Sequence, residues 1–205
     1  MLKKLLCISL LVFLSACQTP EQTAEEADGV TTAEELAEEQ LVVGEPIEGF
    51  RKSVNLKPFG IYITPQNSPV DPERFTGYHT GVDVEMNEAD LSRDIWIYSV
   101  AQGVVVEARE ADGYGGVVAI QHTIEGQAYV AIYGHLDVAS LKVIPGQNVV
   151  AGTPMGLLGE GYTDETDGER KHLHFALIPG ETVDLKGYVQ SEAELSKWVD
   201  PLTIL

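Results

Sequence analysis

GVVVEAREADGYGGVVAIQHTIEGQAYVAIYG, residues 103–134, holds three apolar runs rich in β-branched residues, broken twice by turn formers. The runs are GVVVEAR (103–109), GVVAIQH (116–122) and AYVAIYG (128–134); the breaks are ADGYGG and IEGQ. Runs of this length between Gly- and Asp-containing turns read as strands joined by hairpins. The same rhythm continues on both sides. GIYIT (60–64), GVDVE (81–85) and IWIYS (95–99) precede the stretch, and LKVI (141–144), MGLLG (155–159) and HLHFAL (172–177) follow it, with PGQN and AGTP as further turns. The pattern predicts an all-β domain of hairpins and meanders. One helix is expected in it, SEAELSKWV near the end, with Ser191 as N-cap and Glu194 closing a capping box. No internal repeat and no second domain is visible.

Composition sets limits on function. A hydrophobic content of 44% supports a real core, and 20 glycines suit strands and turns. The formal net charge of −19 argues against a nucleic-acid partner, since affinity for phosphate comes from cationic contacts. It also argues against direct adsorption to an anionic membrane.

The start of the chain supplies another route to a membrane. MLKKLLCISLLVFLSAC has a basic beginning at Lys3 and Lys4, an apolar run from Leu5 to Leu14, and small residues before Cys17. This reads as a signal peptide over residues 1–16, too short to span a bilayer. Leu14-Ser15-Ala16-Cys17 resembles a bacterial lipobox, which implies cleavage before Cys17 and a lipid on its thiol. The other cysteine, Cys7, lies in the removed part, so no disulfide is expected. Residues 17–49 then read as a tether: Gln18 to Gly49 has no Lys or Arg and many Glu, Ala and Thr, a composition that repels itself and lacks core formers. Fully extended, it would reach on the order of 100 Å. The texture changes near Phe50, and residues 50–205 read as the folded domain.

The five histidines are not scattered. YHTGVDVE holds His79 and Asp83, YGHLDV holds His135, and KHLHF holds His172 and His174. In a strand, residues i and i+2 project from one face, so His172 and His174 look into one space. Imidazoles and a carboxylate are ligands that zinc accepts, and a catalytic zinc site uses three of them with one position open. His122, at the end of a strand, has no partner in sequence and reads as structural.

These blocks resemble the lysostaphin/LytM-type zinc metalloendopeptidases that cut bacterial peptidoglycan. The likeness covers about Lys57 to Leu205. It includes Pro58-Phe59-Gly60, YHTGVDV, AQGVVVEAREADGYGGVVAIQH, YGHLDV, PGQNVVAGTPMGLLG, KHLHFAL and DPLTIL, in the family's order and spacing. The resemblance implies a small antiparallel β-sandwich with the metal site in a narrow groove. It implies one Zn²⁺ per domain on His79, Asp83 and His174, with His135 and His172 as catalytic histidines flanking the attacking water. Which of the two is the base stays open, as does the scissile bond: a Gly-Gly bridge, a D-Ala-linked cross-link or another stem-peptide bond. The expected partners are peptidoglycan and, through Cys17, a membrane; the expected place is the cell envelope; the domain is expected to be monomeric.

Two segments depart from the family pattern. GEGYTDETDGERK (159–171) is longer and more acidic than the usual loop before His-x-His, and should border the groove. MNEADLSRD (86–94) follows the first metal block and reads as a solvated loop. Two other functions compete. A catalytically silent relative that activates other wall hydrolases would lack one or more of the five site residues, and none is missing. A non-haem iron oxygenase would use two His and one carboxylate, but with closer spacing than His79-x-x-x-Asp83, and would leave His135 and His172 idle.

Overall fold

The computed structural model describes residues 43–205. The expected signal peptide, Cys17 with its expected lipid, and the expected tether up to residue 42 lie outside the described residues. Eleven strands follow one another: β1 (Tyr62–Ile63), β2 (Gly77–His79), β3 (Val82–Glu85), β4 (Trp96–Tyr98), β5 (Gly103–Ala111), β6 (Gly115–Ile124), β7 (Gln127–Leu136), β8 (Asn148–Val149), β9 (Pro154–Leu157), β10 (His172–Pro179) and β11 (Tyr188–Val189). The three longest adjacent strands, β5, β6 and β7, are the meander expected from residues 103–134.

All pairings are antiparallel. A six-stranded sheet has the order β3-β10-β7-β6-β5-β8, a three-stranded sheet β1-β2-β11, and β4 pairs with β9. The large sheet is apolar on both faces, because β6, β7 and β10 are nearly continuous hydrophobic runs. Val118, Ile120, Tyr133, Leu173 and Phe175 join one core cluster, to which Phe50, Ile97 and Met155 contribute from outside the sheet. The Phe50 ring meets Phe175 edge-on at 5.6 Å. The alternate residues Val117, Ala119, Val130, Ile132, Ala176 and Ile178 form a second cluster with Val189 and Trp198. His172 and His174 alternate with Leu173 and Phe175, so they share the face of this second cluster.

The structure differs from the expectation in several places. LKVI (141–144) forms no strand; Leu141 ends a 3₁₀ turn, Val138–Ser140, and Lys142 makes one backbone bond to Met155. Besides the expected helix, α2 (Glu192–Leu195), there are one-turn helices α1 (Phe50–Ser53) and α3 (Pro201–Ile204). In α2, Ser191 caps Glu194, but the Glu194 carboxylate bonds the backbone of Gln190 instead of Ser191. The chain also joins the core before Phe50: Ile47 is buried, and Tyr98 N–H donates to the Pro46 carbonyl. No helix among the described residues is long and apolar enough to cross a membrane.

Candidate metal centre and active site

Strand register assembles the site. His174 on β10 lies opposite Asp83 on β3 and opposite Gly134 on β7. His79 ends β2 in the neighbouring sheet. Close approach requires glycine at two points. A Cβ at Gly81 would come within 2.5 Å of the Phe175 carbonyl oxygen and 3.0 Å of His174, and one at Gly134 would come within 2.3 Å of the Tyr114 ring.

His135 reaches the site by a distortion. Gly116 pairs with Leu136 and Val117 with Gly134, so His135 is the extra residue of a β-bulge. Its φ is 66°, a left-handed conformation that is uncommon outside glycine. Bulges re-aim side chains, and this one turns His135 toward His172, with ring centroids 4.3 Å apart. His79, Asp83, His135, His172 and His174 are all buried. The last four line a cavity of about 300 Å³.

Three ligand atoms converge. His79 Nδ1 lies 3.3 Å from the Pro58 carbonyl oxygen, which can only accept, so Nδ1 holds the proton and the Nε2 lone pair faces inward. Nε2 is 3.0 Å from His174 Nδ1 and 3.1 Å from Asp83 Oδ1, and His174 Nδ1 is 3.2 Å from that same oxygen. Ligands held about 2.0–2.1 Å from one tetrahedral ion lie roughly 3.3 Å apart. An imidazole lone pair turned toward a carboxylate is repulsive unless a cation lies between them. By spacing and by chemistry His79, Asp83 and His174 fit a single metal ion. His174 Nε2 is buried beside Gly81 without a partner.

The other two histidines share one arrangement. His135 Nδ1 donates to the Tyr114 carbonyl at 2.9 Å, and His172 Nδ1 donates to the Arg170 carbonyl at 2.8 Å. In the neutral form each therefore has its lone pair at Nε2. His172 Nε2 is 3.4 Å from Asp83 Oδ2. Burial pushes the pKa of His135 down to about 3 and that of His172 well below its usual value. Burial would raise the Asp83 carboxyl, but the polar groups packed around it outweigh that and hold it low.

Several residues of the site were not singled out in sequence. Tyr114, in the ADGYGG turn, packs edge-on against His174, with ring centroids 5.4 Å apart. Tyr188 stacks on Phe75 and lies 5.1 Å from His79, and its hydroxyl accepts from Lys57 at 3.1 Å. Lys57 is itself buried in a 2.6 Å ion pair with Glu73. Arg170 bonds Asp83 and Glu85 together. Of these, Arg170 carried a signal: it precedes His172 by two, and the alternation that pairs His172 with His174 extends to it.

The acidic loop 159–171 does border the cavity, through Glu169 and Arg170. Arg74, next to the cavity-lining Phe75, ties down this loop, with Nε on Glu169 at 2.8 Å and Nη2 on Asp167. No residue of 86–94 lines that cavity. The two insertions nevertheless meet. The buried Lys171 ammonium donates to the Leu91 and Arg93 carbonyls at 3.2 and 2.9 Å and to Glu160 at 2.6 Å. His122 is buried outside the site, donating to the Gln102 carbonyl and bonded to the Tyr133 hydroxyl, both at 3.0 Å.

Residues 77–185, which carry all five site positions, match peptidase family M23. The chain belongs to that family. It is 32% identical over 124 residues to Endolysin 2638A of Staphylococcus phage 2638A, a match covering 60% of this chain and 24% of the endolysin. The chain thus spans about a quarter of that relative's length. Among solved structures, lysostaphin is 26% identical, over 62% of this chain and 42% of that one, with a TM-score of 0.44. SpoIIQ in the SpoIIQ–SpoIIIAH pore-forming complex is 19% identical, over 81% and 92%, with a TM-score of 0.50. This last likeness shows the fold alone.

Proposed function

We propose that the chain is a zinc-dependent endopeptidase that hydrolyses peptide bonds in peptidoglycan cross-links or stem peptides at the cell envelope. The observation that carries the reading is the meeting of three metal-ligating atoms, 3.0–3.2 Å apart, with two further imidazoles in one buried site. His79, Asp83 and His174 would hold the ion, and His135 and His172 would be the catalytic histidines. Zn²⁺ bound there supplies a Lewis acid and lowers the pKa of a water ligand to about 7.

The chain's own groups do the rest. Backbone carbonyls hold the Nδ1 protons of His135 and His172, so each imidazole accepts a proton at Nε2. One takes the proton of the attacking water, and the imidazolium formed gives it to the leaving amine nitrogen. Burial disfavours the charged imidazolium, which favours the second transfer. The Tyr114 carbonyl and the β-bulge keep His135 in place, and the Arg170 carbonyl does so for His172.

The tether and lipid at Cys17 complete the proposal: residues 1–16 as signal peptide, a lipidated linker from Cys17, and the folded domain, which the chain already joins at Pro46 and Ile47, as the working part, anchored to a membrane and facing the wall. A silent regulatory role is less well supported, because all five site residues are retained. The test incubates the purified full-length chain with cross-linked peptidoglycan, with zinc or with a chelator, and sequences the released fragments by mass spectrometry. New peptide termini that need zinc are expected, and they identify the bond. Zinc-loaded protein that cuts none of several cross-link types would overturn the reading.

A further inference from the structure

Arg170 stands two residues before His172, inside the loop that reads as acidic surface. It is not surface: its side chain is 13% exposed. Its guanidinium takes two carboxylates at once. Nη2 donates to Asp83 Oδ2 at 2.8 Å, Nε donates to Glu85 Oε2 at 2.9 Å, and Nη2 also bonds Glu85 Oε1. Asp83 and Glu85 are i and i+2 on β3, so both project toward this side of the sheet. The Arg170 carbonyl meanwhile receives His172 Nδ1–H. Burial opposes a charge at this position, but Asp83 and Glu85 reverse the effect and raise the pKa of the guanidinium.

We propose that Arg170 is the positioning residue of the metal centre. It pins the outer oxygen of Asp83, so that Oδ1 alone faces His79 and His174. It also holds Glu85 aside, and through its own backbone it aims His172. The inference rests on the reading that His79, Asp83 and His174 bind zinc. A substrate contact is the weaker alternative, because the one guanidinium nitrogen without a partner, Nη1, is buried. Arginine suits the role because its planar fork engages carboxylates in a fixed geometry that the lysine point charge does not reproduce. A hydrogen-bonded group that orients a ligating carboxylate typically controls metal affinity by about 10–100-fold.

The test measures zinc affinity of the full-length chain by chelator competition, for the parent, Arg170→Gln and Arg170→Lys, with far-UV circular dichroism to confirm folding. Arg170→Gln is expected to bind zinc about 10–100-fold more weakly, and Arg170→Lys to fall between it and the parent. If Arg170→Gln does not fold, Arg170→Lys carries the test, and affinity equal to the parent's overturns the proposal. Affinity of Arg170→Gln within twofold of the parent overturns it too, whatever happens to turnover. A parent that binds no zinc brings down the metal reading itself. A parent that binds zinc but cuts nothing brings down only the peptidase reading.

Discussion

His172 and His174 are two residues apart on one strand, yet their removal should have different consequences. His174→Ala deletes an atom within 3.2 Å of two other candidate ligands, so the purified variant should contain no stoichiometric zinc and show no cleavage. His172→Ala leaves all three ligand atoms in place. It should keep its zinc and lose about 10²–10⁴-fold in kcat, the usual scale for a proton-transfer group. Elemental analysis beside turnover separates the two, and zinc lost from His172→Ala would mean that the ligand assignment is wrong. The five side chains that converge in the buried site were all named from the sequence, because short motifs in a fixed order carry them. Arg170 was hidden by its acidic neighbours, although the two-residue alternation reaches it. Lys57, Tyr114 and Tyr188 carried no such signal, since only the folded chain brings them beside the histidines.

At the scale of strands, the site depends on how closely backbones approach. Gly134→Ala puts a methyl group 2.3 Å from the Tyr114 ring. The ring must move, and with it the Tyr114 carbonyl that holds His135. We expect a loss of about 1–3 kcal/mol in stability, as in other overpacked sites, and lower turnover with zinc content unchanged. Thermal unfolding and kcat at parental stability and rate would show that Tyr114 is not wedged there. The meander β5–β6–β7 was legible because its strands are long and its turns carry Gly and Asp. The two-residue strands β8 and β11 were not, since pairs that short have no period to detect. LKVI has strand composition but no ladder to join; the rim of the large sheet is taken by β8, which pairs with β5. One-turn helices such as α1 and α3 are set by packing, and in α3 by the Asp200 cap, not by a repeating pattern.

Across the whole molecule, acid should act through His122 as well as through the site. Burial lowers its pKa from 6.5 to about 4, so below about pH 6.5 the unfolded chain takes up a proton that the folded chain refuses. The contribution is intact above pH 6.5 and is lost progressively toward pH 4, about 3 kcal/mol in all. Urea unfolding of the metal-free chain between pH 7.5 and 4.5 should show this slope, and His122→Gln should flatten part of it; equal slopes would place the acid sensitivity elsewhere. The Lys171 contact has a different kind of consequence. Two insertions far apart in sequence share one buried ammonium, and neither can satisfy it alone. They form a single transplantable part: a chimaera that receives residues 159–171 without 86–94 keeps Glu160 beside the ammonium but loses both carbonyl partners, so loop grafting between relatives must move both segments together.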